Sequence, residues 1–383
     1  MQLKNIFPKL LFLLTCFFLF TAPVHAKCPK KFQDLNPQTF RSANLKKPVK
    51  NLILMIGDGF GPIQLEATFP KTKENTPPFS LFPNRGQLTH CSFSGVTDSA
   101  AAATAMASGI KTNNRKIGLT KKNLPVKTIL EIAKEKGKWT GLVTNTEITH
   151  ATPASFAAHQ KSRYDAVEIA RDYINLTRPN ILLGGGRKYF SKIGLPVKWG
   201  KITPFEWGGY QVVRSQLALR KAIKNPKTNY ILGIFSNEHM EYEKFRKKIS
   251  IFYAQPSLSQ MATETLKFLS RNPNGFFLMI EGGRIDHAGH KNDLSRLVWE
   301  VKEFANTIDL VMKWAKKNPN TLLLVTADHE TGGLKREKDG FHWTTIGHTA
   351  TPVWIWGMGP NSDTIKETQD NRAVFHILNQ AMK

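Results

Sequence analysis

Residues 51–59 read NLILMIGDG, an apolar run that stops abruptly at Gly57-Asp58-Gly59. A short continuous apolar run bounded by a turn signal is the form taken by a strand buried on both faces. The form recurs along the chain. WTGLVT (139–144) follows a segment in which Val126, Ile129, Leu130 and Ala133 fall at helical spacing. ILL (181–183) runs into three glycines, FFLMI (276–280) ends at Glu281, and TLLLVT (321–326) leads to Asp328-His329. YQVV, SQLALRKAI and YILGIF, within 210–235, predict a further strand–helix–strand unit. Between the strands, Leu258, Met261, Ala262 and Leu269 make one helical apolar face, and Leu297, Val301, Phe304, Ile308, Val311 and Ala315 another. Such alternation predicts an α/β fold: a single large domain with a central, mostly parallel sheet flanked by helices on both faces. Sheets of this kind gather ligands beyond the carboxyl ends of their strands. Asp58, Glu281 and Asp328 all fall at that edge.

The ends and the composition bound what surrounds this domain. Residues 1–26 have the pattern of a secretory signal peptide: Lys4 and Lys9, the apolar core LLFLLTCFFLF, and Val24-His25-Ala26 as a small-residue cleavage site. The core is too short to span a bilayer comfortably, and no later run approaches membrane length. The expectation is an exported protein, periplasmic or secreted, with residues 27–383 forming the working domain. Cys28 and Cys91 are then the cysteines that remain, compatible with one disulfide or with two free thiols. The net charge is +25, or +23 without Lys4 and Lys9. That balance suits anionic substrates and electrostatic association with acidic surfaces. No zinc-finger or RNA-binding pattern accompanies it, so specific nucleic-acid binding is not expected. PKTKENTPPF (70–79) reads as an exposed loop.

VTDSAAAATAMASG (96–109) poses a choice. Asp98 and Ser99 are good N-cap residues before an alanine-rich helix. Equally, a serine at a helix N-terminus faces unpaired N–H groups and a positive dipole end, where a phosphate binds well. The rest of the chain tips the balance. EGGRIDHAGH (281–290) holds Glu281, Asp286, His287 and His290; TADHETGG (326–333) holds Asp328 and His329; THATPA (149–154) holds His150 and Thr152; GHT (347–349) holds His348. Taken singly, each reads as a turn, a helix-surface pair or a satisfied histidine. Gathered at one sheet edge, such acids are costly to bury unless cations neutralise them. Their oxygen and nitrogen donors suit zinc and magnesium.

These motifs, in this order with LLGGG (182–186), resemble the alkaline phosphatase family from about residue 50 to the C-terminus. The resemblance implies a catalytic domain over 27–383 that hydrolyses phosphate monoesters, with two zinc ions and one magnesium as cofactors. It assigns Asp286, His290 and His348 to one zinc and Asp58, Asp328 and His329 to the second. Asp58 would also reach a magnesium held with Thr152 and Glu281. It makes Ser99 the nucleophile that carries a phosphoseryl intermediate, and Arg163 the residue whose planar fork holds the phosphate. His150 and His287 stand where family members vary, so they and Asp98 are candidates for phosphate contact or for support of the metal ligands.

One departure concerns the mouth of the site. Eighteen residues separate His329 from His348, where many family members carry a longer insert. The short KREKDGFHWTTI link implies an open site and broad tolerance of the alcohol portion, and leaves open whether the chain forms a homodimer. Two other readings stand beside the phosphatase: a phosphodiesterase of the same superfamily, and a secreted phosphate- or zinc-binding protein without turnover. Ser99 with Arg163 favours monoesters over the first. Intact nucleophile, arginine and metal clusters disfavour the second.

Overall fold

The apolar runs form the middle of one sheet. In the computed structural model, which describes residues 28–29, 31–70, 77–191, 208–248 and 255–383, the central strands are β1 (Asn51–Gly57), β3 (Trp139–Glu147), β4 (Ile181–Gly185), β7 (Phe276–Gly282) and β8 (Thr321–Ala327). The sheet is completed by β2 (Asn84–Thr89), β5 (Gln211–Val213), β6 (Ile231–Ile234), β13 (Val353–Met358) and β14 (Thr368–Asp370). Its order is β14-β2-β13-β8-β1-β7-β3-β4-β6-β5. All neighbours pair in parallel except β13, which runs antiparallel to both β8 and β2. The mostly parallel sheet is therefore as expected, and the leader segment 1–26 and residues 71–76 of the expected loop lie outside the described residues.

Burial explains why the central strands read as continuous apolar runs. Leu52 to Ile56 on β1 and Phe276 to Ile280 on β7 are fully buried, because helices cover both faces. Each such side chain contributes about 1.5–3 kcal/mol of transfer free energy. The helix Leu258–Leu269 begins in a Ser257/Gln260 capping box, and the helix Leu294–Lys317 is capped by Asp293. The long helix presents Leu297, Val301, Phe304, Ile308 and Val311 to the core, all on the face predicted. Phe304 lies so close to the end of β7 that a β-carbon on Gly282 would sit 2.9 Å from its ring. Val126 falls outside its expected helix, which is Ile129–Glu135; Thr128 takes the N-cap in a capping box with Glu131 and fixes the start there.

Register is what brings the acids together. Gly57 pairs with both Ala327 and Gly282, so the residues leaving β1, β8 and β7 emerge side by side. Four short strands shape the surroundings. β9 (Glu330–Thr331) pairs with β12 (His348–Thr349), bringing His348 back to the sheet edge. β10 (Lys335–Glu337) and β11 (Gly340–His342) form an exposed hairpin within the short link. Cys28 and Cys91 are joined as a disulfide, with their Cα atoms 5.6 Å apart, which decides between the two states compatible with the sequence.

Candidate active site and metal centre

The alanine-rich stretch forms the helix Ser99–Ser108, in which every residue is buried. Asp98, not Ser99, is its N-cap: Asp98 Oδ1 accepts from the Ala101 backbone N–H at 3.0 Å. Ser99 occupies the first helical position, so its hydroxyl is not used for capping. Small side chains let this helix lie against the helix Ala151–Ala157, where the Ser155 hydroxyl donates to the Ala100 carbonyl at 3.1 Å. Ser99 Oγ points to the sheet edge, 3.2 Å from His329 Nε2 and 3.4 Å from Asp58 Oδ1.

Around that hydroxyl the structure gathers three sets of donors. Asp58, Asp328 and His329 form the first, fully buried: His329 Nε2 lies 3.4 Å from Asp58 Oδ1 and 3.2 Å from Asp328 Oδ2. Asp328 Oδ1 is fixed by the backbone N–H groups of Gly59 and His329. Asp286, His290 and His348 form the second, with His290 Nε2 3.3 Å and His348 Nε2 3.6 Å from the Asp286 carboxylate. Asp286 and His290 share one face of the helix Arg284–His290 because they are four residues apart. The Nδ1 atoms of His290 and His348 face the backbone carbonyls of Ile346 and Thr97, which leaves both Nε2 atoms aimed at Asp286. Such outer hydrogen bonds commonly orient metal-binding imidazoles. The third set is Asp58, Glu281 and His150, with His150 Nδ1 3.7 Å from Glu281 Oε1 and 3.9 Å from Asp58 Oδ2. Thr152 Oγ1, in the first turn after His150, is buried there without a hydrogen bond.

Charge and hydrogen bonding show what these sets can hold. Asp58 Oδ2, Asp328 Oδ2 and Glu281 Oε1 are buried and accept no hydrogen bond. Burial, then Asp328, Asp286 and Glu281, push the Asp58 carboxyl well above the usual range. Burial and then Asp286 raise Asp328 as well. Asp286 goes the other way: burial opposes it, but hydrogen bonds from His290 and His348 hold it well below an ordinary carboxylate. Burial and the neighbouring His348 keep His329 well below the usual imidazole range, in the neutral form that binds metals. Unpaired carboxylate oxygens beside neutral imidazole are a donor set that fits divalent cations, whose charge would offset the crowding.

Arg163 sits opposite, its side chain 15 % exposed, with Nη1 3.2 Å from Asp98 Oδ2 and Nη2 3.0 Å from His150 Nε2. Asp98 thus supports the arginine as well as the helix. The groups open into a cavity of about 550 Å³ whose walls include Ser99, Arg163, His150 and His287. His287 Nδ1 is 2.9 Å from Arg284 Nη1. All the residues singled out in the sequence are therefore brought together here. Arg115, Tyr164 and His239 are among the cavity residues that the sequence did not single out. The ring of His239 lies 4.5 Å from that of His287, and its Nδ1 accepts from the Glu147 N–H at 3.1 Å. SNEH follows YILGIF at the same sheet edge, which was the signal available for it.

Gly59 ties the constellation together. It has φ of +72°, and a β-carbon would lie 2.8 Å from both Asp286 Cα and Thr331 Oγ1. Gly59→Ala is expected to lower stability by about 1–3 kcal/mol and to weaken divalent-cation binding, because left-handed backbone and a backbone clash coincide. Urea unfolding and metal content check this; a variant unchanged in both would contradict it.

Comparison with known proteins follows the same lines. A family model described as alkaline phosphatase matches residues 49–342. Alkaline phosphatase 3 of Bacillus subtilis is 38 % identical over 310 residues, covering 77 % of this chain and 64 % of that relative. The alkaline phosphatase of Escherichia coli is 31 % identical over 409 residues, covering 88 % and 86 %. The solved alkaline phosphatase from the Antarctic bacterium TAB5 superposes with a TM-score of 0.76 at 32 % identity, covering 88 % of this chain and 98 % of that one. The chain spans less than two thirds of the length of the first curated relatives, at 64 %, 63 % and 58 %.

Proposed function

Because this chain belongs to the alkaline phosphatase family, we propose that it hydrolyses phosphate monoesters through a phosphoserine on Ser99. The observation that carries this reading is the position of Ser99 Oγ, within 3.4 Å of Asp58 and His329 and on the same cavity as Arg163. Ser99 Oγ forms a bond to phosphorus as the bond to the alcohol oxygen breaks; water then attacks phosphorus and releases phosphate, restoring the serine. Ser99 is aided by its place at the first position of a ten-residue helix, where N–H groups and the dipole favour negative charge on oxygen. The Arg163 guanidinium, oriented by Asp98, offers two parallel donors to the non-bridging phosphate oxygens. Splitting the displacement into two steps is the ordinary gain of covalent catalysis.

The cofactors in this reading are two zinc ions, on Asp286/His290/His348 and Asp58/Asp328/His329, and a magnesium on Asp58, Thr152 and Glu281. Bound there, they supply Lewis-acid charge for the phosphoryl, entering and leaving oxygens. A variant of the TAB5 enzyme in which a histidine is replaced by aspartate is described with magnesium in a site called M3; the third set of this chain keeps a histidine, His150. His150 belongs to that third set and also touches Arg163, whereas His287 and His239 line the cavity. Export to the periplasm or beyond follows from the leader pattern and is supported by the Cys28–Cys91 disulfide.

The direct test compares a nitrophenyl phosphate with the bis(nitrophenyl) ester on metal-loaded protein of known metal content. Preference for the monoester, with about two zincs per chain, is the expected result. Faster cleavage of the bis-ester would replace it with a phosphodiesterase, and phosphate binding without turnover would leave a binding protein.

A further inference from the structure

Arg115 lies on the cavity wall yet takes no part in the chemistry described above. Its backbone is left-handed, with φ of +72°, and its N–H donates to Asp98 Oδ2 at 2.9 Å, the oxygen that Arg163 Nη1 also meets. Its carbonyl accepts from the Arg163 N–H at 2.7 Å. The two arginines are thus held side by side by one carboxylate and one backbone bond. Their side chains fare differently. Arg163 is paired with Asp98, whereas no carboxylate pairs with the Arg115 guanidinium among the described residues. The Arg115 group is exposed and rests 5.8 Å from the ring of Tyr164, itself 71 % exposed and on the same wall. Lys188, which meets the cavity-wall residue Glu147 at 3.1 Å, is by contrast already matched. An unmatched cation seated on an aromatic face, one step outward from the phosphate arginine, attracts negative charge on the part of the substrate that leaves.

We propose that Arg115, seated on Tyr164, is a specificity-determining residue that favours terminal phosphoryl groups whose leaving group carries a second phosphate, as in the phosphoanhydride of a nucleoside diphosphate. The proposal rests on the phosphatase reading above. With such a substrate the terminal phosphoryl group passes to Ser99 Oγ, and the nucleoside monophosphate departs with the electrons of the broken P–O bond. Arg163 holds the phosphoryl group in transfer, while the Arg115 fork meets the phosphate left behind.

Adenosine diphosphate and adenosine monophosphate share base and sugar and differ in the charge of the leaving group and in the bond cleaved, anhydride against ester. The intrinsic difference in bond reactivity cancels when their ratio is compared between variants. The measurement is the ratio of kcat/KM for the diphosphate over the monophosphate, at low ionic strength, for the unaltered protein, Arg115→Gln and Arg115→Lys. Arg115→Gln should lower the ratio more than about three-fold, through KM for the diphosphate, as expected for a charge-assisted contact near the surface. Arg115→Lys should retain most of the preference, and added salt should erode it in the unaltered protein. A smaller fall in Arg115→Gln, or a lysine variant as poor as the glutamine one, overturns the proposal. Hydrolysis of neither nucleotide by the unaltered protein would sink the phosphatase reading together with it; monophosphate turnover with an unshifted ratio sinks only the role of Arg115.

Discussion

Ser99→Ala should lower monoester turnover by on the order of 10⁴-fold or more, since the attacking oxygen itself is removed. The fold should hardly notice. Asp98 supplies the N-cap, so alanine at the first helical position costs no capping bond, and alanine is a good helix former. Phosphate binding should persist, because Arg163 and its Asp98 support are untouched. Steady-state kinetics, calorimetric phosphate titration and thermal unfolding on one preparation separate these effects. Turnover retained within about ten-fold would exclude Ser99 as the nucleophile, since loss of a covalent nucleophile costs far more.

Chelation should be the second large effect, with a pH dependence whose sign follows from the buried acids. Without cations, the folded-state pKa values of Asp58 and Asp328 are raised above their unfolded values, by burial first and then by neighbouring carboxylates. Such groups bind protons more tightly when folded, so the cation-free protein loses stability as pH rises from the unfolded carboxylate range through the raised pKa values. Asp286 and Glu281, with lowered values, act in the opposite sense, but at lower pH: their contribution is lost as pH falls through their depressed pKa values. Divalent cations bind the ionised forms and so stabilise the protein more as pH rises, by mass action on the folded state. EDTA should therefore lower the unfolding temperature much more at pH 8 than at pH 5. With ions at about 1,000 times their dissociation constants the gain is about 4 kcal/mol per site, which is several degrees or more in a chain of this size. Thermal scans with and without chelator across that interval give the answer; a difference that shrinks towards pH 8 would contradict cation neutralisation of Asp58 and Asp328.

The legibility of this fold in its sequence has a physical cause. Parallel strands with helices on both faces cannot alternate polar and apolar residues, so β1, β7 and β8 stand out as apolar runs, and the polar residue that ends each run marks the ligand edge. Asp58, Glu281, Asp328 and His329 stand at or just beyond the ends of those runs, and Asp286 and His290 share one helix turn. His348, brought back by β12, was grouped with them only by the family resemblance. What escaped depends on contacts between distant segments. Nothing near β13 announces that it runs antiparallel between β8 and β2, because edge order is set by the return path of the chain. Nor does spacing pair Cys28 with Cys91 or place Arg115 beside Arg163. His239 was missed because its SNEH segment leaves β6, separated from β7 in the sheet by β3 and β4, and only the fold brings it beside His287. Asp98 and Ser99 were assigned to the right helix end, and only hydrogen-bond geometry shows which of the two caps it.

The close packing of the helices Ser99–Ser108 and Ala151–Ala157 has a consequence for how such a protein can diversify. The first carries Ser99, the proposed nucleophile, and the second carries Thr152 and is preceded by His150, two of the residues proposed to lie at the third cation, so these groups belong to one solid block. No residue of that block's first helix can grow without forcing its neighbours apart. Arg115 and Tyr164 stand on exposed loops beside it, free to be replaced without disturbing the block. On the reading proposed here, reaction geometry is thereby insulated from selection on the leaving group, so that specificity can drift at the loops while the block stays fixed.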